Sequence, residues 1–344
     1  MMNSKLKILI LGVNGFIGST LSESILKVTD WEIYGMDIEK TKLHHCLDNP
    51  RFHFNEGDIR KNKKWIREHV EKCDVVLPLV AVATPSTYVS DPLYVFELDF
   101  EANLSIVRDC VSYKKHLIFP STSEVYGMST DTPFDEEKSN LVLGPINKPR
   151  WIYSCSKQLM DRVIHAYGEK EGLNYTLFRP FNWIGGRQDS ILTAKEGSAR
   201  VLTQFIGNIL RGNDIQLVDG GKQKRCFTYI DDGIDGIVEI IKRRNNEANR
   251  RIFNLGNPDN DYSIRELAEM LVTQIKDYPK YKSFAEKTNI IDVSSGSYYG
   301  EGYQDVSSRI PSIEAAKKYL QWTPKYTMEA ALRLTLDYHL KDNV

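Results

Sequence analysis

The chain has 344 residues, enough for a large core and two lobes. Its 45 lysines and arginines nearly cancel 46 aspartates and glutamates, leaving a formal net charge of -1, which argues against a nucleic-acid or membrane partner. Apolar stretches are strand-sized, far short of the roughly 20 residues of a transmembrane helix. The charged start 1–7 leads straight into a strand, and the five cysteines carry no CxxC pattern, so reduced thiols and a cytoplasmic location are expected.

In chain order, Lys7–Leu11 is a short apolar run of the kind that forms a buried parallel strand. It runs into Gly12-Val13-Asn14-Gly15-Phe16-Ile17-Gly18 and an amphipathic helix over 16–27. In such a loop Gly12 permits the tight turn, Gly15 lets the backbone approach a pyrophosphate, and Gly18 lets helix and strand pack closely. The pyrophosphate then lies at the helix N-terminus, beside Phe16 and Ile17. A second strand over 31–36 ends at Asp37, an acid placed to bond a ribose 2′-OH and to repel a 2′-phosphate, which points to NAD rather than NADP. His44-His45-Cys46 reads as a solvated surface segment rather than a metal cluster, and no metal site is expected. A strand over 52–54 brings Asp58 and Ile59 to the carboxyl edge of the sheet, where either an adenine or a plain turn fits. Strands over 74–79, 116–119 and 175–178 alternate with helices over 96–114 and 153–170. This is an α/β, Rossmann-type doubly wound parallel sheet. We expect an NAD-binding domain over 1–180. A smaller α/β substrate lobe is expected over 181–344, with some segments returning to the sheet.

The chemistry concentrates between Thr122 and Lys157. Tyr153 and Lys157 lie four residues apart on one helix face, where an ammonium is expected to lower the phenol's pKa so that it can take a proton from an alcohol. Thr122 and Glu124, at the end of the strand over 116–119, add an acid/base group to the same pocket. Oxidation of a sugar hydroxyl followed by a second step is the implied reaction. Asn182 follows a strand, and Lys222 and Arg225 follow Gly220-Gly221, all suited to a diphosphate.

The glycine loop, the Tyr153/Lys157 pair and Arg179-Pro180-Phe181-Asn182 resemble the extended short-chain dehydrogenase/reductase family of nucleotide-sugar enzymes over nearly the whole chain. Pro120–Gly127, Asn147–Tyr153, Asp219–Phe227 and the Ser297–Gly300 and Gly302–Val306 segments look like UDP-glucuronate decarboxylases. One such enzyme is a domain of a bifunctional polymyxin-resistance enzyme, and free-standing bacterial UDP-xylose synthases share the architecture. The resemblance implies that Tyr153 takes the C4 hydroxyl proton of UDP-glucuronate while NAD accepts the hydride. Lys157 would hold the nicotinamide ribose and Thr122 the sugar near C4. Ser123, Glu124 and Arg309 would surround the carboxylate and C5, with Arg309 binding the carboxylate. Arg309, Glu124 or water would supply the C5 proton. Ala83, Tyr88 and Tyr303 would contact the substrate, and the helices over 96–114 and 153–170 would build a homodimer. A like charge on Glu124 is expected to favour departure of the carboxylate.

Several alternatives differ from this reading at particular residues. A 4-epimerase leaves Glu124 and Arg309 unexplained. A 4,6-dehydratase carries Asp-Glu after the Thr, where this chain has Ser123. Apiose-forming relatives carry cysteines where Ala83 and Ser123 stand, and a dinucleotide sensor predicts a degraded set where this chain keeps five residues together. Release of a UDP-4-keto-pentose and reduction to UDP-xylose start from the same residues. Likeness in 147–151 and 220–227 favours release.

Overall fold

The first apolar run forms β1 (Lys7–Leu11), buried from Ile8 onward, inside a seven-stranded sheet. The structure is a computed structural model and describes residues 5–192, 199–294, 306 and 309–341. The first half continues with α1 (Phe16–Val28), β2 (Glu32–Asp37), β3 (Phe52–Glu56), α2 (Lys63–Lys72), β4 (Val75–Pro78), α3 (Pro85–Ser90) and α4 (Pro92–Phe96). Then come α5 (Asn103–Ser112), β5 (His116–Pro120), α6 (Trp151–Glu171) and β6 (Tyr175–Pro180). Beyond these lie β7 (Trp183–Ile184), α7 (Val201–Leu210), β8 (Ile215–Val218), β9 (Lys224–Cys226), β10 (Thr228–Tyr229), α8 (Ile230–Arg243), β11 (Arg251–Leu255), β12 (Asp261–Ser263) and α9 (Ile264–Ile275).

The sheet order is β11-β6-β5-β4-β1-β2-β3, with every neighbouring pair parallel. Because both faces are covered, the strands are near-continuously apolar. Leu21, Ile25 and Leu26 share one face of α1, at i, i+4 and i+5. They pack with Ile234, Ile237 and Ile241 of α8 over one side of the sheet. Ile66 and Val70 of α2, Ile106 and Val107 of α5, and Met160 and Ile164 of α6 cover the other side. Thus β11 and α8, both beyond residue 180, belong to the sheet and its covering layer. A second core gathers α7, β8, α9 and the helix Met328–Leu340 around Phe205, Leu217, Leu271 and Leu332.

The helix expected over 96–114 is broken into three pieces. It starts earlier, at Pro92, and opens into a π-helical turn over Glu97–Ala102 before α5. The cause is the Asn103 side chain, whose Nδ2 donates to the carbonyls of Leu98 (3.0 Å) and Val80 (3.1 Å) and so enters the helix ladder. Among the described residues no helix is long and apolar enough to cross a membrane, and no group of His, Cys, Asp or Glu could hold a metal. His44 and His45 are exposed, whereas Cys46 is buried.

The chain leaves β1 toward β2 on one side, and returns through β3 to β4 on the other. A crevice therefore opens beyond the carboxyl ends of β1 and β4, the place where such sheets take ligands.

Candidate active site

A cavity of about 600 Å³ fills that crevice and extends toward the second lobe. At its sheet end lies the glycine loop. Gly12 has φ +84, in the left-handed region that favours glycine. A Cβ on Gly18 would lie 2.4 Å from the Gly12 carbonyl oxygen, so α1 can start this close to β1 only with glycine there. Gly15 caps α1 without a side-chain bond, and the first turn carries no acid, which leaves the helix N-terminus suited to an anion. This cradle, with Phe16 and Ile17 on the cavity wall, fits a dinucleotide pyrophosphate.

Asp37 ends β2 beside the loop. Its carboxylate accepts the N–H groups of Asn14 and Ile38, each at 2.8 Å. Burial raises its pKa, and those amide bonds oppose the rise. Each oxygen keeps further acceptor capacity for a ribose hydroxyl. Asp58 and Ile59 follow β3 but do not line the cavity. Asp58 is paired to Arg60 at 2.7 Å, and Ile59 is buried in the core on the α2 side of the sheet.

Beyond β5 the chain turns into a short 3₁₀ helix, Ser123–Tyr126, capped by Thr122, whose Oγ1 accepts the Glu124 N–H at 3.2 Å. Thr122 also hydrogen-bonds the Tyr153 hydroxyl. Tyr88 stacks on Tyr153 with ring centroids 4.6 Å apart and planes 5° from parallel. Thr122, Ser123, Glu124, Tyr153, Lys157, Ala83 and Tyr88 all line the cavity.

Two electrostatic expectations change here. Burial pushes the Tyr153 phenol above its ordinary pKa, and Asp99 adds to that, outweighing the Thr122 bond. Lys157 donates instead to the Pro120 carbonyl at 3.0 Å. Burial lowers the Lys157 pKa, against the pull of Asp99 and Asp161. The phenol therefore keeps its proton with the protein's own groups around it, contrary to the lowering expected from helix spacing. Glu124 is the second case. Burial would raise its pKa, but Arg309 and Arg150 outweigh burial and bring it down to about 2. Arg150 Nη2 lies 2.5 Å from Glu124 Oε2, and Arg309 Nη1 bonds Oε1. A carboxylate so neutralised does not supply the like-charge repulsion that was expected.

At the far end, Asn182 follows β6 with φ +41, and its Nδ2 is buried with no hydrogen-bond partner among the described residues. Arg225 lies on β9 rather than in a loop, is 9% exposed, and donates to the carbonyls of Lys224 and Val306. Asn182 and Arg225 both line the cavity. Lys222 is exposed and does not line it. Tyr303 lies outside the described residues, as do 297–300 and 302–305 of the resembling segments.

Comparison with known proteins fits this geometry. Residues 8–256 match the model of the NAD dependent epimerase/dehydratase family. The chain belongs to that family. Its fold is that of the extended short-chain dehydrogenase/reductases, and NAD is its cofactor. The PbgP3 protein from Burkholderia pseudomallei is 54% identical, with a TM-score of 0.89 over 98% of this chain and 97% of that one. A UDP-glucose 4-epimerase from Thermotoga maritima, solved with UDP-glucose, shares the fold at 22% identity. Its TM-score is 0.80 over 98% of this chain and 100% of that one. A UDP-glucuronic acid 4-epimerase variant from Bacillus cereus, solved with UDP-4-deoxy-4-fluoro-glucuronic acid and NAD, does so at 21% identity. Its TM-score is 0.81 over 98% of this chain and 100% of that one.

Within this family member, sequence reasoning missed Arg150, Lys42 and Asp99. Arg150 is 3% exposed and sits three residues before Tyr153, a spacing that places both on one helix face. Lys42 lines the cavity near the glycine loop and donates from Nζ to the Arg187 carbonyl at 2.8 Å. Asp99 is fully buried, accepts the Val82 N–H at 2.7 Å, and has its pKa pushed up to about 6 by burial, against the pull of Lys157. No local pattern marks Lys42 or Asp99.

Proposed function

We propose that the chain oxidises UDP-glucuronate at C4 and decarboxylates the product, releasing CO2 and a UDP-4-keto-pentose. The observation that carries this reading is Glu124 held between two buried arginines in the cavity that also holds Tyr153 and Lys157. A neutral sugar on a diphosphate gives so cationic a sugar end little to bind. A sugar carboxylate suits it.

NAD, when bound, supplies the hydride acceptor for C4 and a positive charge near the phenol. Gly12, Gly15, Gly18 and Asp37 would hold it, with Lys157 at the nicotinamide ribose. Thr122 orients the C4 hydroxyl, and Tyr153 takes its proton as the C4–H bond breaks, acting in its ionised form, which the positive charge of bound NAD would favour over the protonated form set by the protein's own groups. The C4 ketone lies β to the carboxylate, so the C5–carboxyl bond breaks with its electron pair passing into an enolate, and CO2 leaves. Arg309 holds the carboxylate beforehand, and Arg309 or a water then supplies the proton that adds at C5. Glu124, ionised at neutral pH, fixes both arginines and the sugar ring rather than donating that proton. Asn182 and Arg225 bind the diphosphate. We also assign a homodimer built through α5 and α6, where Leu159 is 44% exposed. Elution at monomer volume at working concentration would remove it.

The test is incubation with UDP-glucuronate and excess NAD, following nicotinamide absorbance and sugar products by NMR. NADH accumulating with CO2 supports release of the keto-pentose. CO2 and UDP-xylose without net NADH mean that the ketone is reduced in place. No CO2 overturns the decarboxylase reading.

A further inference from the structure

Glu124 and Arg309 are 185 residues apart in sequence, yet their pairing needs both side chains in one register. Neither segment is part of the sheet. The 3₁₀ helix bearing Glu124 ends at Tyr126, and the strand-like segment after Arg309 runs through Ile310 and Ser312. Both meet at a residue outside the cavity, Asn254 on β11, which is fully buried.

Every polar group of the Asn254 side chain is in use. Its Oδ1 accepts the Tyr126 hydroxyl at 2.8 Å. Its Nδ2 donates to the Phe134 carbonyl at 2.9 Å and the Ser312 carbonyl at 3.1 Å. Its backbone N–H donates to Glu136 Oε1 at 2.8 Å. Two carbonyls can only accept, so they fix which way the amide faces. Phe134 ties the same segment again: its N–H donates to the Ile310 carbonyl at 2.7 Å, and the Ser312 N–H donates to its carbonyl at 2.8 Å. Phe134 also stacks on Tyr126, centroids 4.5 Å apart. Arg179, the register partner of Asn254 on β6, donates to the Tyr126 hydroxyl at 2.9 Å and to Asp161, one turn beyond Lys157 on α6.

We propose that Asn254 is a positioning residue for the reaction: its single side-chain amide sets the Glu124 and Arg309 segments against each other and so builds the carboxylate-handling half of the site. The inference rests on the proposed role of those two residues toward the sugar acid. Asn254 does not reach the cavity. Asn254 bonds Tyr126, Glu136, Phe134 and Ser312, and makes no direct hydrogen bond to Tyr153, Lys157 or the glycine loop.

The test uses Asn254→Ala, Arg309→Ala, the double variant, and Tyr126→Phe, which keeps volume and removes only the hydroxyl link. We expect Asn254→Ala to lower kcat for UDP-glucuronate about 30-fold, since a misplacement of about 1 Å is enough for such a loss. NAD affinity should stay within about twofold, and the same change in the Arg309→Ala background should cost less than about threefold. Tyr126→Phe should show the same pattern at smaller size, and it stands in if Asn254→Ala does not fold. Amide hydrogen exchange should quicken across 309–313 and 122–127 but not in the glycine loop. Equal losses in both backgrounds, or unchanged exchange across 309–313, overturn the inference. If wild type or Arg309→Ala shows that UDP-glucuronate turnover does not involve Arg309, the proposed function fails instead, and exchange alone still decides the role of Asn254.

Discussion

Replacing Glu124 by Gln separates the electrostatics of the site from its chemistry. A carboxyl held at about 2 rather than its ordinary 4.5 prefers its ionised form by about 3 kcal/mol. The folded-state value is depressed, so this contribution to stability is fully present above about pH 4.5 and is lost as pH falls toward 2. The Gln variant lacks it at every pH and leaves Arg150 and Arg309, each 3% exposed, facing one another. Stranding buried charge costs about 3–5 kcal/mol in a closed interior. Here Glu124 is 21% exposed on a cavity wall, and water offsets part of the cost, leaving about 2 kcal/mol and a fall of a few degrees in Tm. A substrate carboxylate then replaces the missing charge. UDP-glucuronate should bind about tenfold tighter to the variant and restore its Tm, while turnover drops by about 100-fold or more. Calorimetric titration, thermal melts with and without UDP-glucuronate, and CO2 release measure the three effects. Weaker binding of UDP-glucuronate by a fully stable variant, or unchanged turnover, would refute the reasoning.

Tyr153→Phe should cut NADH formation by about 10³-fold while NAD affinity, read by fluorescence quenching, stays near wild type; retained turnover removes the phenol as the base. Gly18→Ala forces a methyl to within 2.4 Å of the Gly12 carbonyl oxygen, and should cost about 1–3 kcal/mol and at least about a tenfold loss of NAD affinity. Unchanged binding would mean that the cofactor does not use this loop. Burial pushes the Glu136 carboxyl up to about 7, so the folded state holds a proton there that the unfolded chain releases near its ordinary 4.5. Stability should therefore fall as pH rises between those values, by up to about 3 kcal/mol. Glu136→Gln, which keeps an acceptor for the Asn254 N–H, should flatten that decline and raise Tm at pH 8. An unchanged pH profile of Tm would count against it.

Much of the fold was legible because its signals are local. Lys7–Leu11, the glycine loop and Asp37 announce a strand, a turn and a ribose-binding acid within about 30 residues. The i, i+4 spacing of Tyr153 and Lys157 places them on one helix face whatever surrounds them. The break in the helix over 96–114 was not legible, because its π-helical turn depends on where Asn103 reaches, a contact with Val80 that periodicity does not record.

The sequence by itself determined the parallel sheet, the cofactor loop and the residues able to do acid–base work, since these follow from backbone sterics and side-chain period. Only the tertiary structure decided how those groups are charged and paired. It drew Arg309 and Arg150 onto Glu124, raised the Tyr153 phenol by burial, set Arg225 on a cavity wall and left Lys222 in solvent. Desolvation and long-range pairing depend on everything packed around a group, and residues 185 positions apart carry no local trace of their meeting.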